Sequence, residues 1–369
     1  MNKFYFYGVA LLPALVVACG DKDDNPTDAQ GDTSVENDPA DTTDTDDTTD
    51  TDTTDGCAIG SLVDGVCSLV DLALTGDSVI NGSCSDYAGS YATEINCQGC
   101  EADSYTATVE ITVDGSSCSF FSNRLPNYDV TTQGFAAPVT PQDDADVLTL
   151  VSPVPATTVE YISQRMDDGV FLNGVVLDLL SAGCYDPESM ISGQQPDDNG
   201  NVAIGCTDPD NQWILDPMSE HNNFGTDAHN AHTQPPGIYH YHGSPEAIFS
   251  STQTDDPPII GFAADGYPIF GPATNAIPCY KLRTTRDYDG APLYATPPDS
   301  NPMGMYNKDW ETVNEGEMVT YNGTQQQCSL DECNGKTNSD GIYGYYVTNS
   351  YPWVLKCYKG TPDDSFLKQ

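Results

Sequence analysis

Thirteen cysteines in a chain of 369 residues set the tightest limit on how this sequence can fold. One of them, Cys19, stands where an apolar leader stops. The other twelve divide evenly, six before residue 120 (Cys57, Cys67, Cys84, Cys97, Cys100, Cys118) and six after it (Cys184, Cys206, Cys279, Cys328, Cys333, Cys357). An even number on each side of an exported chain predicts disulfides formed within two units, in an oxidising compartment. Spacing alone does not give the connectivity. Cys97 and Cys100 form a C-x-x-C pair, but no second pair or nearby His completes a zinc site with them, so a structural disulfide is the better reading.

Residues 1–19 consist of a short start with one cation, Lys3, and an apolar run from Phe4 to Val17. The run is too short for a membrane-spanning helix and has the form of a secretory signal. Its end, Val16-Val17-Ala18-Cys19, resembles the lipobox of bacterial lipoproteins, in which the Cys thiol is acylated. The competing reading is an ordinary signal with a chance Cys. The lipobox is favoured because Cys19 falls where the apolar run stops and an acidic stretch begins. The expectation is an exported protein whose partner is membrane lipid, reached through acylated Cys19. Gly20 rather than Asp after the Cys points to the outer membrane, by resemblance to enterobacterial sorting.

The acidic stretch, residues 20–56, is built from Asp, Thr, Gly and Asn and holds 14 acids and one Lys. It lacks apolar residues to bury and is predicted to be a solvated, self-repelling tether. The charge continues beyond it. The whole chain carries 56 Asp+Glu against 12 Lys+Arg, a formal −44, which argues against binding nucleic acid through a basic patch.

The remainder reads as mainly β. Residues 57–122 form a small Cys-rich β-module, whose clearest strand is Tyr105–Val113, with β-branched residues in alternation. Residues 123–369 form a larger β domain with long loops, for which a sandwich is one form. Strands are expected at Asp146–Val151, Gly169–Leu180, Ile238–His242, Pro258–Phe262 and Ile342–Thr348. No stretch gives a long amphipathic helix. Gly76-Asp77-Ser78 matches the nucleophile block of one esterase class, but no His follows position 242 to act as the late base.

All five His lie between His221 and His242. Within Ile238-Tyr-His-Tyr-His242, residues two apart share a face of a strand, so His240 and His242 point one way and Tyr239 and Tyr241 the other. Gln234-Pro-Pro-Gly237 is a turn, and the segment before it is the expected partner strand. Pairing 232 with 240 adds His232 to the two strand imidazoles, whereas pairing 229 with 242 adds His229. Either register gathers three imidazoles, a donor set suited to Zn²⁺ or Cu²⁺ with a further position left open. Asp227, Glu246 or Asp265 are candidate acids to complete or orient the site. The rival reading is a buried hydrogen-bonded His/Tyr network without metal.

Three ordered motifs carry a family resemblance: Pro235-Pro-Gly-Ile-Tyr-His-Tyr-His-Gly243, Ile260-Gly-Phe-Ala-Ala-Asp-Gly-Tyr-Pro-Ile-Phe-Gly-Pro272 and Leu330-Asp-Glu-Cys-Asn-Gly335. Together they resemble the YHYH-domain family of exported proteins, over about residues 125–360. The resemblance implies His232, His240 and His242 as the characteristic set, and so the 232/240 register. It implies no particular activity. Gly237-Ile-Tyr-His-Tyr-His242 also echoes Gly341-Ile-Tyr-Gly-Tyr-Tyr346, which lacks His, and chance in a Tyr- and Gly-rich chain competes with an internal repeat as the cause.

The metal ligands expected are therefore drawn from His232, His240, His242, His229 and Asp265. Three functions fit: an envelope-anchored transition-metal (Cu or Zn) binding protein, a metal-dependent hydrolase or oxidoreductase using the same site, and a structural or adhesion module without metal. The catalytic residues of an enzyme, the metal's identity and the role of residues 57–122 are not encoded in these patterns.

Overall fold

Two β-sheets dominate the computed structural model, which describes residues 62–63, 66–68, 83–142, 147–190, 195–206, 213–249, 253–286 and 295–368. The leader with Cys19, and the acidic tether, lie outside the described residues. The described residues fall in one unit, Asp52–Gln369.

The first sheet is a meander around two long strands, Gly89–Gln98 and Ser104–Asp114, followed by Ser117–Ser122. Ala107, Val109 and Ile111 are buried and alternate with the exposed or half-buried Thr106, Thr108, Glu110 and Thr112, which gives this sheet one buried face. Leu148–Val151 pairs with Ser117–Ser122, so a strand from the second stretch of sequence completes its edge. The first sheet meets the second through Tyr87 and Phe120, both edge-on to Phe262, and the buried apolar residues of both form one continuous core. The hydrophobic effect is thus shared across the two sheets.

The second sheet has eight strands, in the order Ala231–Gln234, Ile238–Tyr241, Val176–Leu177, Gly169–Phe171, Ile259–Ala263, Pro268–Phe270, Tyr343–Tyr346, Gly335–Thr337. Each half lists the same four parts from the outside in: a strand, its antiparallel partner, a parallel step, then a tight hairpin. The halves meet where Gly169–Phe171 and Ile259–Ala263 pair antiparallel about Val170 and Phe262. A pseudo-two-fold axis runs through that pair.

Hydrogen bonds repeat across the axis. The hairpin turns are Asn173-Gly174 and Asp265-Gly266, with both glycines at positive φ (78° and 83°), and each Oδ1 accepts from the N–H two residues on, Val175 and Tyr267. Asp227 Oδ1 accepts from His229 N and Ala231 N, as Asp331 Oδ1 does from Cys333 N and Gly335 N. Tyr239 donates to Asp227 as Tyr343 does to Asp331. The Gly-Ile-Tyr echo is therefore the visible part of a structural repeat.

The stretch expected as one strand, Gly169–Leu180, is instead the hairpin Gly169–Phe171/Val176–Leu177. The other expected strands are present within a few residues of their expected ends. Disulfides join Cys84–Cys118, Cys97–Cys100, Cys184–Cys206, Cys279–Cys328 and Cys333–Cys357. Each of these stays on its own side of residue 120, and each removes freedom from the unfolded chain.

Candidate metal centre

The hairpin that carries the His pairs Ala231 with Tyr241, His232 with His240, Thr233 with Tyr239 and Gln234 with Ile238. Directly opposed residues of an antiparallel pair project to the same face. His232 therefore stands beside His240, and His242, two residues on, joins them. The rings meet edge to face, with centroids 4.7–4.9 Å apart.

Their Nε2 atoms converge. His242 Nε2 lies 3.1 Å from His240 Nε2 and 3.0 Å from His232 Nε2, and all three ligand atoms fall within 4.8 Å of one another. Metal–nitrogen bonds of about 2.0–2.1 Å in a tetrahedron put ligand atoms about 3.3 Å apart.

The outer nitrogens fix what the inner ones present. His232 Nδ1 is 2.6 Å from the carbonyl of Phe224, and His240 Nδ1 is 3.2 Å from that of Ile238. A carbonyl only accepts, so each Nδ1 carries the proton and donates. In neutral rings the Nε2 atoms of His232 and His240 are then bare lone pairs, both turned toward His242. One Nε2–H on His242 can satisfy only one of them. The set is short of a hydrogen or a cation at its centre, and an Nδ1–H donated to a backbone carbonyl is the outer-shell contact that metal-bound His commonly makes.

Protonation does not supply what is missing. His240 and His242 are 2 % and 3 % exposed. Burial, reinforced by the charge of neighbouring His232, pushes the His240 pKa down to about 3. Burial, with the charges of His240 and His232, holds His242 well below the usual range, and burial lowers His232. Three neutral imidazoles is the state that binds metal.

Behind the hairpin, Tyr239 and Tyr241 take the opposite face. Tyr128 OH bonds both hydroxyls (2.9 and 2.8 Å), Tyr241 also receives Asn173 Nδ2 at 3.0 Å, and Tyr239 donates to Asp227. This network holds the strand from behind while the His face stays clear. That face lines a cleft of about 890 Å³, together with Asp178, Lys368, Asn199, Asn223 and Met305.

Two of the expected ligands lie elsewhere. His229 sits in the Asp227 turn, three residues from His232 and out of phase with it, and its ring packs on Tyr128 at 4.2 Å. Asp265 is in the other half of the sheet, where its carboxylate accepts from Tyr345 OH (2.6 Å), Gly360 N (2.9 Å) and Tyr267 N. Asp227 is taken by Tyr239, and Glu246 is exposed.

Two residues at the site escape a reading of the motifs. Asp178 follows the parallel pairing of Val176 with His240 and Leu177 with Tyr241, and so comes beside His242. Lys368 arrives from the far end of the chain to donate to Asp178 Oδ2 at 2.5 Å. A charge closing the apolar run Val175-Val176-Leu177 was the available signal for Asp178; nothing local marks Lys368.

The family model described as YHYH protein matches residues 148–360, more than half of the chain. Neither the curated proteins nor the solved structures contain a match.

Proposed function

The chain belongs to the YHYH protein family, and on that premise we propose that His232, His240 and His242 form a transition-metal site, for Cu²⁺ or Zn²⁺, in a lipid-anchored protein of the cell envelope. The observation that carries this reading is the convergence of three Nε2 atoms whose rings already donate, or are free to donate, from Nδ1. A stable, metal-free arrangement of three neutral imidazoles would pair their nitrogens differently. The envelope address is supported by the disulfides, which belong to an oxidising compartment. The anchoring rests on Cys19 at the end of the apolar leader, with the acidic stretch as a spacer between lipid and fold.

The cleft favours a second reading, a metal-dependent hydrolase or oxidoreductase. A site for storage alone gains nothing from a space of about 890 Å³ beside its open position. A bound metal would supply Lewis acidity, or a redox couple in the case of copper. The chain's own residues supply the rest: the imidazoles hold the cation, and the cleft admits a ligand to its open side.

The deciding experiment is elemental analysis of the oxidatively folded full chain after equilibration with Zn²⁺ or Cu²⁺ and desalting. One equivalent is expected, lost in both His240→Ala and His242→Ala. A folded wild-type protein that retains no metal leaves the structural module as the function. Turnover by the metal-loaded chain over ester, phosphate, glycan and phenol panels separates the enzyme from a binding protein.

A further inference from the structure

One oxygen of Asp178 lacks a regular hydrogen bond, and the backbone donor facing the carboxylate is the Leu180 N–H. The residue is 4 % exposed, its Oδ2 accepts from Lys368, and its Oδ1 makes no hydrogen bond of regular geometry. A buried carboxylate oxygen left unpaired is costly, and such atoms in folded proteins commonly face a ligand or water.

Its position is set by the backbone. Asp178 N donates to Tyr241 O, one step beyond the parallel pairing that aligns Val176 with His240, so the side chain stands next to His242 and lines the same cleft as the three imidazoles. Lys368 is itself fixed. Its N–H donates to Arg165 O, Leu367 bridges to Met166, and its ammonium lies between Asp178 and Asp167. Arg124 contacts Asp167 from the other side. The local charges of Asp167, Asp178, Lys368 and Arg124 cancel, so Oδ1 acts as a directed acceptor rather than as a bare negative field.

We propose that the cleft binds a small polar ligand that gives one oxygen to the metal and, from a neighbouring group, an N–H or O–H hydrogen to Asp178 Oδ1. Hydroxamates, α-hydroxy amides and 1,2-diols share that pattern. Beyond the metal the cleft offers amide side chains, Asn199 and Asn223 among them, and the carboxylate of Asp197, which can bond the rest of a polar ligand. The inference rests on the metal reading above.

The test uses the full chain loaded with Co²⁺, whose visible spectrum reports ligand exchange. The probes are acetohydroxamate, which has the N–H, N-methylacetohydroxamate, which lacks it, and thiocyanate, which has no donor. After correction for affinity toward free Co²⁺, the wild type is expected to prefer acetohydroxamate over its N-methyl analogue by about tenfold. In Asp178→Asn, Lys368 claims the amide oxygen and the NH₂ faces the cleft, so the preference falls below about threefold while thiocyanate affinity holds. Equal wild-type affinity for the two hydroxamates overturns the proposal, as does an unchanged preference in Asp178→Asn. If that variant does not fold, the wild-type comparison decides alone. A wild-type chain that takes up no Co²⁺ overturns the metal reading itself, and its metal content shows this before any probe is added.

Discussion

His240 has Gly344 as its counterpart across the pseudo-two-fold axis of the large sheet: His232 pairs with His240 where Lys336 pairs with Gly344. The third imidazole, His242, corresponds to Tyr346, whose ring receives the Lys336 ammonium at 5.1 Å. One scaffold thus appears twice with one site. The difference lies in the adjoining hairpin. The first half puts Asp178 beside the site, and the second puts Phe270 there, stacked on Tyr346.

That packing leaves position 344 no space. A Cβ on Gly344 would lie 2.6 Å from Pro268 O and 2.5 Å from Phe270 Cε2. Gly344→Ala is expected to destabilise the fold by about 1–3 kcal/mol, read from the urea midpoint. An unchanged midpoint would mean that the second half tolerates a side chain here, and the steric account of its missing site would fail.

Asp265 shows how equivalence reassigns a residue. It corresponds to Asn173, and both close a hairpin turn and bond the inner Tyr of their half, Tyr345 and Tyr241. Asp265→Ala leaves Tyr345 OH and Gly360 N without their acceptor in a buried place. A loss of about 2–4 kcal/mol is expected, with metal content unchanged. Metal lost from a folded Asp265→Ala protein would return this carboxylate to the site.

The lowered His values shape the pH dependence of binding. Ordinary imidazoles titrate near 6.5, so an exposed three-His site loses about three powers of ten in affinity per pH unit below that value. Here burial keeps the rings neutral further down, His240 to about 3. Less proton competition at low pH means a flatter curve. Competition titrations of folded protein between pH 7 and 5 are expected to show a fall in affinity well short of the exposed-site slope. A fall of about three powers per unit would show that the rings protonate freely.

The pattern of residues 238–242 made much of this site readable. Alternation put His240 and His242 on one face, and the turn at Pro235-Pro236 left two registers, of which the family resemblance implied the one observed. What stayed hidden lacks local pattern. The hairpin at Asn173-Gly174 lies inside an apolar run, since strands buried on both faces show no alternation. The repeat extends upstream of the Gly-Ile-Tyr echo through single residues at equal spacing: Asp227 with Asp331, which accept the same backbone bonds, and Asn230 with Asn334, both at positive φ. Isolated matches of this kind are easily missed in a sequence. Lys368 reaches Asp178 only because the chain end is tied to residues 165–167.

Asp168 gives the fold a pH dependence of opposite sign to that of a salt-bridged carboxylate. It is fully buried, accepting from Leu179 N and Tyr358 OH. Burial first, then the charge of Asp178, raises its pKa from 3.8 to about 8. Between those values the unfolded chain has released a proton that the native state keeps. The contribution is whole below about pH 3.8, is lost as pH rises, and levels off above about pH 8, with a slope near 1.4 kcal/mol per unit. Asn has the shape of the protonated acid and does not ionise. The stability of Asp168→Asn relative to wild type is therefore expected to climb from pH 4 to pH 8. Titrating groups away from Asp168 are common to both proteins and drop out of the difference, which leaves Asp168 and its coupled neighbours Asp178 and Lys368. Urea unfolding at a series of pH values measures this difference directly. A constant difference would mean that Asp168 is ionised in the native state, held by its two donors despite its burial.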